Sequence, residues 1–446
     1  MLLVDLPHDI LEEIAQSLKK INEKSLQSLA LASRALCHPT QRQIFRSISL
    51  TIDLHELTIP YSSNSLSPPP SFARLRDILT ENPALATYVQ DIQCFYFEAL
   101  RLDVPPFPEP KSWMIDHGLL LAEILQLLGN APIKSLSIVN IPRYGSILAN
   151  WSSLHETLQQ TLIHRIFNKE TLYFVHFGGF SLPQNIFKTF VGLKGVCLDD
   201  VFWLPRDDDL FHAEEPSPDS DEQHSHHETQ STSSSPLQQL SSLRVTISDS
   251  RNTSLEILGP KMGLDLTGLQ IVQLDLFIIS SLAHIRRFLL SPTLKDLTVS
   301  FPHTSIDANV PSTGINLNTA FNLRNLTLRH GLFFLSLDEF SWIDPTLSSL
   351  RPQVPLQNLT ITLAIDTNPS DITDFKPFTI LSQTLSRFHR VFESRVERVV
   401  VDIELVNRLM KEEVEVFKNK MEECIIWDGC GDVLALRVAA VEEIIS

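Results

Sequence analysis

Near the start of the chain, apolar positions recur at helical spacing. Ile10, Ile14 and Leu18 fall four apart, Leu11 widens the stripe, and polar residues fill most positions between them. That period predicts an amphipathic helix. Pro7 suits the first turn, where its missing N–H leaves nothing unpaired. Asp9, Glu12 and Glu13 come early and Lys19 and Lys20 late, as the helix dipole favours. Asn22 is the expected break. Ser25 to Leu36 predicts a second helix with Ser25 as N-cap, and Leu26, Leu29, Ala30 and Ser33 on one face. Pro39 either stops that helix or starts the next, a short one over 41–46. Ile48, Leu50 and Ile52 then alternate as a strand does. About fifty residues cannot hide this much apolar surface alone, so the segment predicts a partner that covers it.

Beyond residue 50 the pattern changes. A polar, Pro-rich stretch over 60–71 predicts a loop. A helix over 72–79, a strand over 88–95, a Pro-rich turn at 105–108 and a helix from about 117 to 128 follow. Then a unit with a Leu-x-x-Leu-x-Leu core recurs. Its copies begin at Ile133, Leu172, Leu193, Leu243 and Leu269, most clearly at Leu294, Leu323 and Leu356, and last at Val396. Each reads as one short strand with its apolar side chains pointing into a shared core. Amphipathic helices over 154–166, 281–290 and 378–392 lie between strands. Stacking such units buries a core that no single unit can bury. Their spacing, about 23 to 40 residues, is wider and less regular than a strict leucine-rich repeat. The expected fold class is α/β: three N-terminal helices, then a degenerate leucine-rich-repeat-like solenoid, an arc of short parallel strands with outer helices. The alternative is an irregular α/β domain whose parallel strands happen to begin with Leu.

Residues 205–236 interrupt the repeats with nine acids against one Arg, and with a run of Ser and His. Such a composition cannot recover its ordering entropy and is expected to be disordered. His224, His226 and His227 read as a solvated run rather than a metal site, and Ser217 and Ser235, each before Pro, are candidate phosphorylation sites. The chain therefore divides into 1–50, a linking segment 51–131, repeat units 132–204, the acidic loop 205–236, and repeat units with a C-terminal cap 237–446. The cap comprises a helix over 406–424, with Leu409, Val416, Phe417 and Met421 facing inward, and a strand over 433–438.

The ordered set Leu6-Pro7-x-Asp9-Ile10, Ile14, Leu18, Leu26 to Leu29, Ala32-Ser33-Arg34 and Ile44-Phe45-Arg46 resembles an F-box. Its ending, Phe45-Arg46-Ser47-Ile48, is similar to that of the large F-box families of mushroom-forming fungi. The resemblance covers roughly residues 3–50; the rest shares only the general layout of those families. One departure is that Phe45 stands where the third helix often carries Trp. The resemblance implies binding to a Skp-type adaptor and, through it, to a cullin–RING ubiquitin ligase. The adaptor contacts it implies are Leu6, Pro7, Ile10, Ile14, Leu18, Leu26, Leu29 and Phe45. The alternative for the segment is an ordinary three-helix cap on the downstream repeats.

Composition narrows the function classes. The net charge of −17 argues against a general nucleic-acid binder, which needs a basic field. The five cysteines are odd in number and scattered, which suits a reducing compartment and no disulfide framework. Cys424 and Cys430 are the only close pair, with no His nearby to complete a metal site. No signal-like h-region or run of eighteen apolar residues is present, so no membrane is expected and the cytoplasm or nucleus is. No phosphate-loop, zinc-protease or nucleophile-elbow motif occurs; neither catalysis nor a cofactor is expected. The reading is a substrate receptor of an SCF-type ubiquitin ligase that holds an unknown protein substrate on the repeat arc. Polar residues flanking the strand leucines are the candidate substrate contacts: Asp296, Thr298 and Ser300; Asn325, Thr327 and Arg329; Asn358, Thr360 and Thr362. The alternative is a non-catalytic scaffold or regulatory protein not coupled to ubiquitin transfer. A third class is an enzyme with an unrecognised site in a crevice.

Overall fold

A computed structural model describes residues 6–21, 23–53, 70–97, 118–141, 149–204, 237–247, 258–276, 282–301, 314–332, 342–365, 372, 375–392, 395–406, 411–425 and 433–440. The acidic stretch 205–236 and the Pro-rich segments 60–69 and 105–108 lie outside the described residues. The fold is mixed α/β, with parallel strands following one another in chain order. It divides into two compact units, one of residues 1–193, 201–238 and 259–264, the other of 194–200, 239–258 and 265–446. The division falls inside the block 132–204 rather than at its ends.

The first unit opens with α1 (His8–Ile21), α2 (Glu23–Ala32) and α3 (Arg34–Phe45). The second helix ends before Ser33, and Pro39 lies inside α3 rather than at a boundary. Ser33 moves the break: its carbonyl accepts from the N–H groups of Leu36 and Cys37 and so starts the new helix. The N–H that proline lacks costs α3 one bond, and the Thr40 hydroxyl, fully buried, donates to the Leu36 carbonyl one turn back. Strand β1 (Ser47–Asp53) follows directly and pairs in parallel with β2 (Asp91–Phe97), which pairs with β3 (Ser135–Ile141), which pairs with β4 (Phe174–Gly178). Helices α4 (Pro70–Glu81), α5 (Gly118–Leu127) and α6 (Glu156–Thr161) join the strands, and residues Leu162–Phe167 widen into a π turn. An aromatic cluster fills this core. Phe167 stacks on Phe190 at 4.3 Å between ring centroids and meets Phe177 edge-on at 6.3 Å.

Among the described residues, the second unit carries eight parallel strands in chain order in its main sheet: β5 (Gly195–Asp199), β6 (Ser242–Ile247), β7 (Ile271–Leu276), β8 (Asp296–Phe301), β9 (Asn325–Leu332), β10 (Asn358–Ile365), β11 (Arg398–Leu405) and β12 (Leu434–Ala440). Their register is exact from strand to strand. Leu297, Leu326, Leu359 and Val399 share one row, and Val299, Leu328, Ile361 and Val401 the next; all are at most 1% exposed. The repeated Leu two residues before each strand (Leu294, Leu323, Leu356) is also buried. This is why the Leu-x-x-Leu-x-Leu pattern marks the strands: its three apolar positions all point inward. Helices α7 (Leu282–Leu289), α8 (Ile343–Ser348), α9 (Lys376–Phe392) and α10 (Lys411–Cys424) cover the inward rows. Leu381, Leu385, Phe388 and Phe392 of α9 are buried at helical spacing, as one apolar stripe requires.

Candidate functional site

The helix module presents an apolar face that nothing described covers. On α1, Leu11 and Ala15 are 5% and 0% exposed and pack inward. Ile10, Ile14 and Ile21 share the neighbouring face, because residues four and eleven apart return to nearly the same angle. Ile10 is 38% exposed, Ile21 is 80% exposed, and Leu31 at the end of α2 is 90% exposed. Leu6, Ile14, Leu18, Leu29 and Phe45 are part-buried, and Pro7 is exposed. Leu26 departs from expectation. It is fully buried, because α2 turns it into the bundle core, so it holds the module together rather than offering surface. Conversely, Ile21 and Leu31 are exposed apolar positions that the sequence reading did not select. Ile21 was legible as the continuation of the Ile10–Ile14 stripe, while Leu31 lay off the face assigned to α2.

Polar bonds fix this face to the strands of the first unit. The Lys19 ammonium donates to the Gln43 carbonyl at 2.7 Å, and Arg42 pairs with Glu12, so α1 is tied to α3 at two heights. Further on, the Tyr88 hydroxyl and His38 Nδ1 lie 2.7 Å apart. The Arg46 carbonyl, between α3 and β1, accepts from the N–H groups of Gln90 and Asp91 at 2.8 and 3.0 Å. One residue thus joins the helices to the β1–β2 pair with no slack.

The second candidate surface is the outward face of β8, β9 and β10. The nine expected substrate contacts form three cross-strand rows: Asp296–Asn325–Asn358, Thr298–Thr327–Thr360 and Ser300–Arg329–Thr362. Outward residues alternate with the inward leucines, as strand geometry requires. The first row is a hydrogen-bonded ladder: the Asn325 amide donates to Asp296, and the Asn358 amide donates to Asn325 Oδ1 at 2.7 Å. In the third row Arg329 reaches past β10 to Glu404 on β11 at 2.7 Å. Thr362 and Ala364 of β10 stand between these partners in the register. Two of the nine are therefore corrected. Thr362 is 7% exposed and Ser300 is 2% exposed, since short side chains disappear between longer neighbours. The other seven keep exposed or part-exposed side chains.

Inside the second unit, His330 takes the inward position after Leu328. It is 1% exposed, and its ring lies 6.0 Å from Trp342 and 6.3 Å from Phe301. Neither ring nitrogen has a hydrogen-bond partner, and burial pushes its pKa down to about 4. Burial also pushes the Cys94 and Cys197 thiols up to about 12, so neither is a thiolate nucleophile at neutral pH. A notch between α8 and α9 is floored by Leu347, Leu350, Phe388 and Phe392. Asp344 and Arg387, which also line it, are paired with each other at 2.9 Å. Among the described residues, no helix is long and apolar enough to cross a membrane.

No protein-family model matches the chain, and no curated protein is significantly similar to it.

Proposed function

We propose that the protein is the substrate receptor of an SCF-type cullin–RING ubiquitin ligase, with residues 1–50 acting as an F-box and the strand repeats as a degenerate leucine-rich-repeat-like solenoid. The observation that carries the reading is the apolar stripe of Ile10, Ile14 and Ile21 on α1, together with the exposed Leu31 on α2, on a helix module whose own core is already filled by Leu11, Ala15, Leu26 and Leu36. A face of this kind suits docking of helices into an apolar groove. Fully burying an exposed Ile or Leu is worth about 1.5–3 kcal/mol, so two or three such residues supply a useful affinity. The Skp-type adaptor is the partner that the F-box resemblance implies. The Arg46 junction supports the same reading, because a receptor working by proximity gains from a rigid mount between its docking module and its repeats.

In this reading the protein performs no chemistry itself. It holds a protein substrate, by contacts that include Asp296, Asn325, Asn358, Thr298, Thr327, Thr360 and Arg329, where a ubiquitin carrier can reach its lysines. The test is co-purification of the full chain with a Skp-type adaptor and a cullin. Recovery of both supports the reading. Recovery of the adaptor without cullin favours a scaffold outside ubiquitin transfer, and recovery of neither reduces the helices to a cap on the repeats.

A further inference from the structure

Strand β12 ends the sheet of the second unit and, among the described residues, pairs with β11 alone. The inward residues of β11, Val399, Val401, Ile403 and Leu405, are all 0% exposed. Their neighbours on β12, Leu434, Leu436 and Val438, are only part-buried. Val416 on α10, the helix packed beside β12, is 57% exposed. Among the described residues, Arg437 is the one charged side chain on this edge. Edges are normally blunted by Lys, Pro or a bulge, and Leu434-Ala-Leu-Arg-Val-Ala-Ala440 contains neither Lys nor Pro.

The geometry of the edge selects its occupant. The Val399 N–H donates to the Val433 carbonyl. In a parallel ladder this turns the amides of odd-numbered β12 residues toward β11 and those of Leu434, Leu436 and Val438 toward the open side. An antiparallel copy of the same strand matches that pattern, because it sets even-numbered residues opposite one another. A register centred on Arg437 would place two guanidinium groups face to face. One centred on Leu436 places Leu436 against Leu436, Leu434 against Val438, and Arg437 against Ala435. It completes the apolar row, satisfies the free amides and separates the charges.

We infer that the protein forms a two-fold dimer by antiparallel pairing of β12 with β12 of a second copy, in the register centred on Leu436. The axis is perpendicular to the sheet, so both copies keep their helices on one side and the two α10 helices approach through Val416. This is a closed, self-complementary interface.

Sedimentation equilibrium of the full chain over a wide concentration range tests it, with the wild type beside Ala435→Glu and Ala435→Lys. Ala435 lies on the outward face opposite β11 Val400, and either side chain can extend to solvent without disturbing the inward row. The inference predicts a dimer whose dissociation constant falls about tenfold with Glu and rises about tenfold with Lys, because each change acts twice across the axis on Arg437. A wild type that stays monomeric overturns the inference, as does a dimer that responds equally to both charges. A third variant, Leu436→Asp, places two carboxylates at the axis and should give monomer; a persistent dimer would put the interface elsewhere.

Discussion

On α1 and α2, large apolar side chains stand in solvent; on the outward face of β8 to β10, polar side chains are already bonded to one another. Ile21 and Leu31 are 80% and 90% exposed, whereas Asp296, Asn325 and Asn358 form a ladder and Arg329 is paired with Glu404. A partner of the helix module gains by removing apolar area from water. A partner of the strand face must first compete with contacts the protein makes to itself, so recognition there rests on matching a pre-arranged pattern more than on area. The first surface suits a constant partner and the second a selected one.

A charge placed at each kind of apolar position in the helix module separates packing from surface. Leu26→Asp buries a carboxylate without a partner and should cost about 3–5 kcal/mol, melting the module. Ile21→Asp changes an exposed residue and should move stability by no more than about 0.5 kcal/mol while removing most of the adaptor affinity that the proposed F-box would confer. Thermal unfolding followed by circular dichroism separates the two. Equal losses would mean that Ile21 is packed.

Acid stability should probe the second unit through His330. Its folded pKa is depressed to about 4, below its ordinary value, so the unfolded chain takes up the proton first. Stability is therefore complete above about pH 6.5 and falls as the pH drops toward 4, by up to about 3 kcal/mol from this one group. Its neighbours in the register, Phe301 and Leu363, and the Trp342 ring carry no charge to oppose this. His330→Leu should flatten the slope between pH 6.5 and 4 in urea titrations. An unchanged slope would assign the acid sensitivity to other groups.

Smaller effects are expected from the strand face. Asn325→Ala removes both bonds of the ladder and should cost about 1–2 kcal/mol, while Asn358→Ala removes one and should cost about half as much. Arg329→Ala should cost no more than about 1 kcal/mol, because the Arg329 side chain is about half exposed to solvent. A double-mutant cycle with Glu404→Ala isolates its coupling. If the ladder variants cost less than the ion-pair variant, the face is organised by charge rather than by its carboxamides.

The parts that were legible in the sequence are those whose apolar period reflects burial directly. Leu294, Leu323 and Leu356 announce their strands because every repeated position is inward. The three polar rows followed from the same alternation. Contacts between residues far apart in the chain were not legible. Arg329 pairs with Glu404, 75 residues away, across the strand that carries the buried Thr362. Leu26 and Leu29 look alike in sequence, yet bundle packing buries only the first completely. Pro39 reads as a helix boundary, the stop of one helix or the start of the next, but the Ser33 carbonyl places the break earlier. His330 carried no signal except its inward parity after Leu326 and Leu328. The deletion of residues 1–50 that the sequence invites would also cut into β1, which ends at Asp53 and pairs with β2, so substitutions are the cleaner tool.

The most direct measurement is a calorimetric titration of a Skp-type adaptor into the full chain and into the Ile10→Asp, Ile21→Asp double variant. The proposed F-box requires binding to the wild type, a loss of about a hundredfold or more in the variant, and the same melting temperature for both. Equal affinity for the two proteins, or no binding by the wild type, would contradict it.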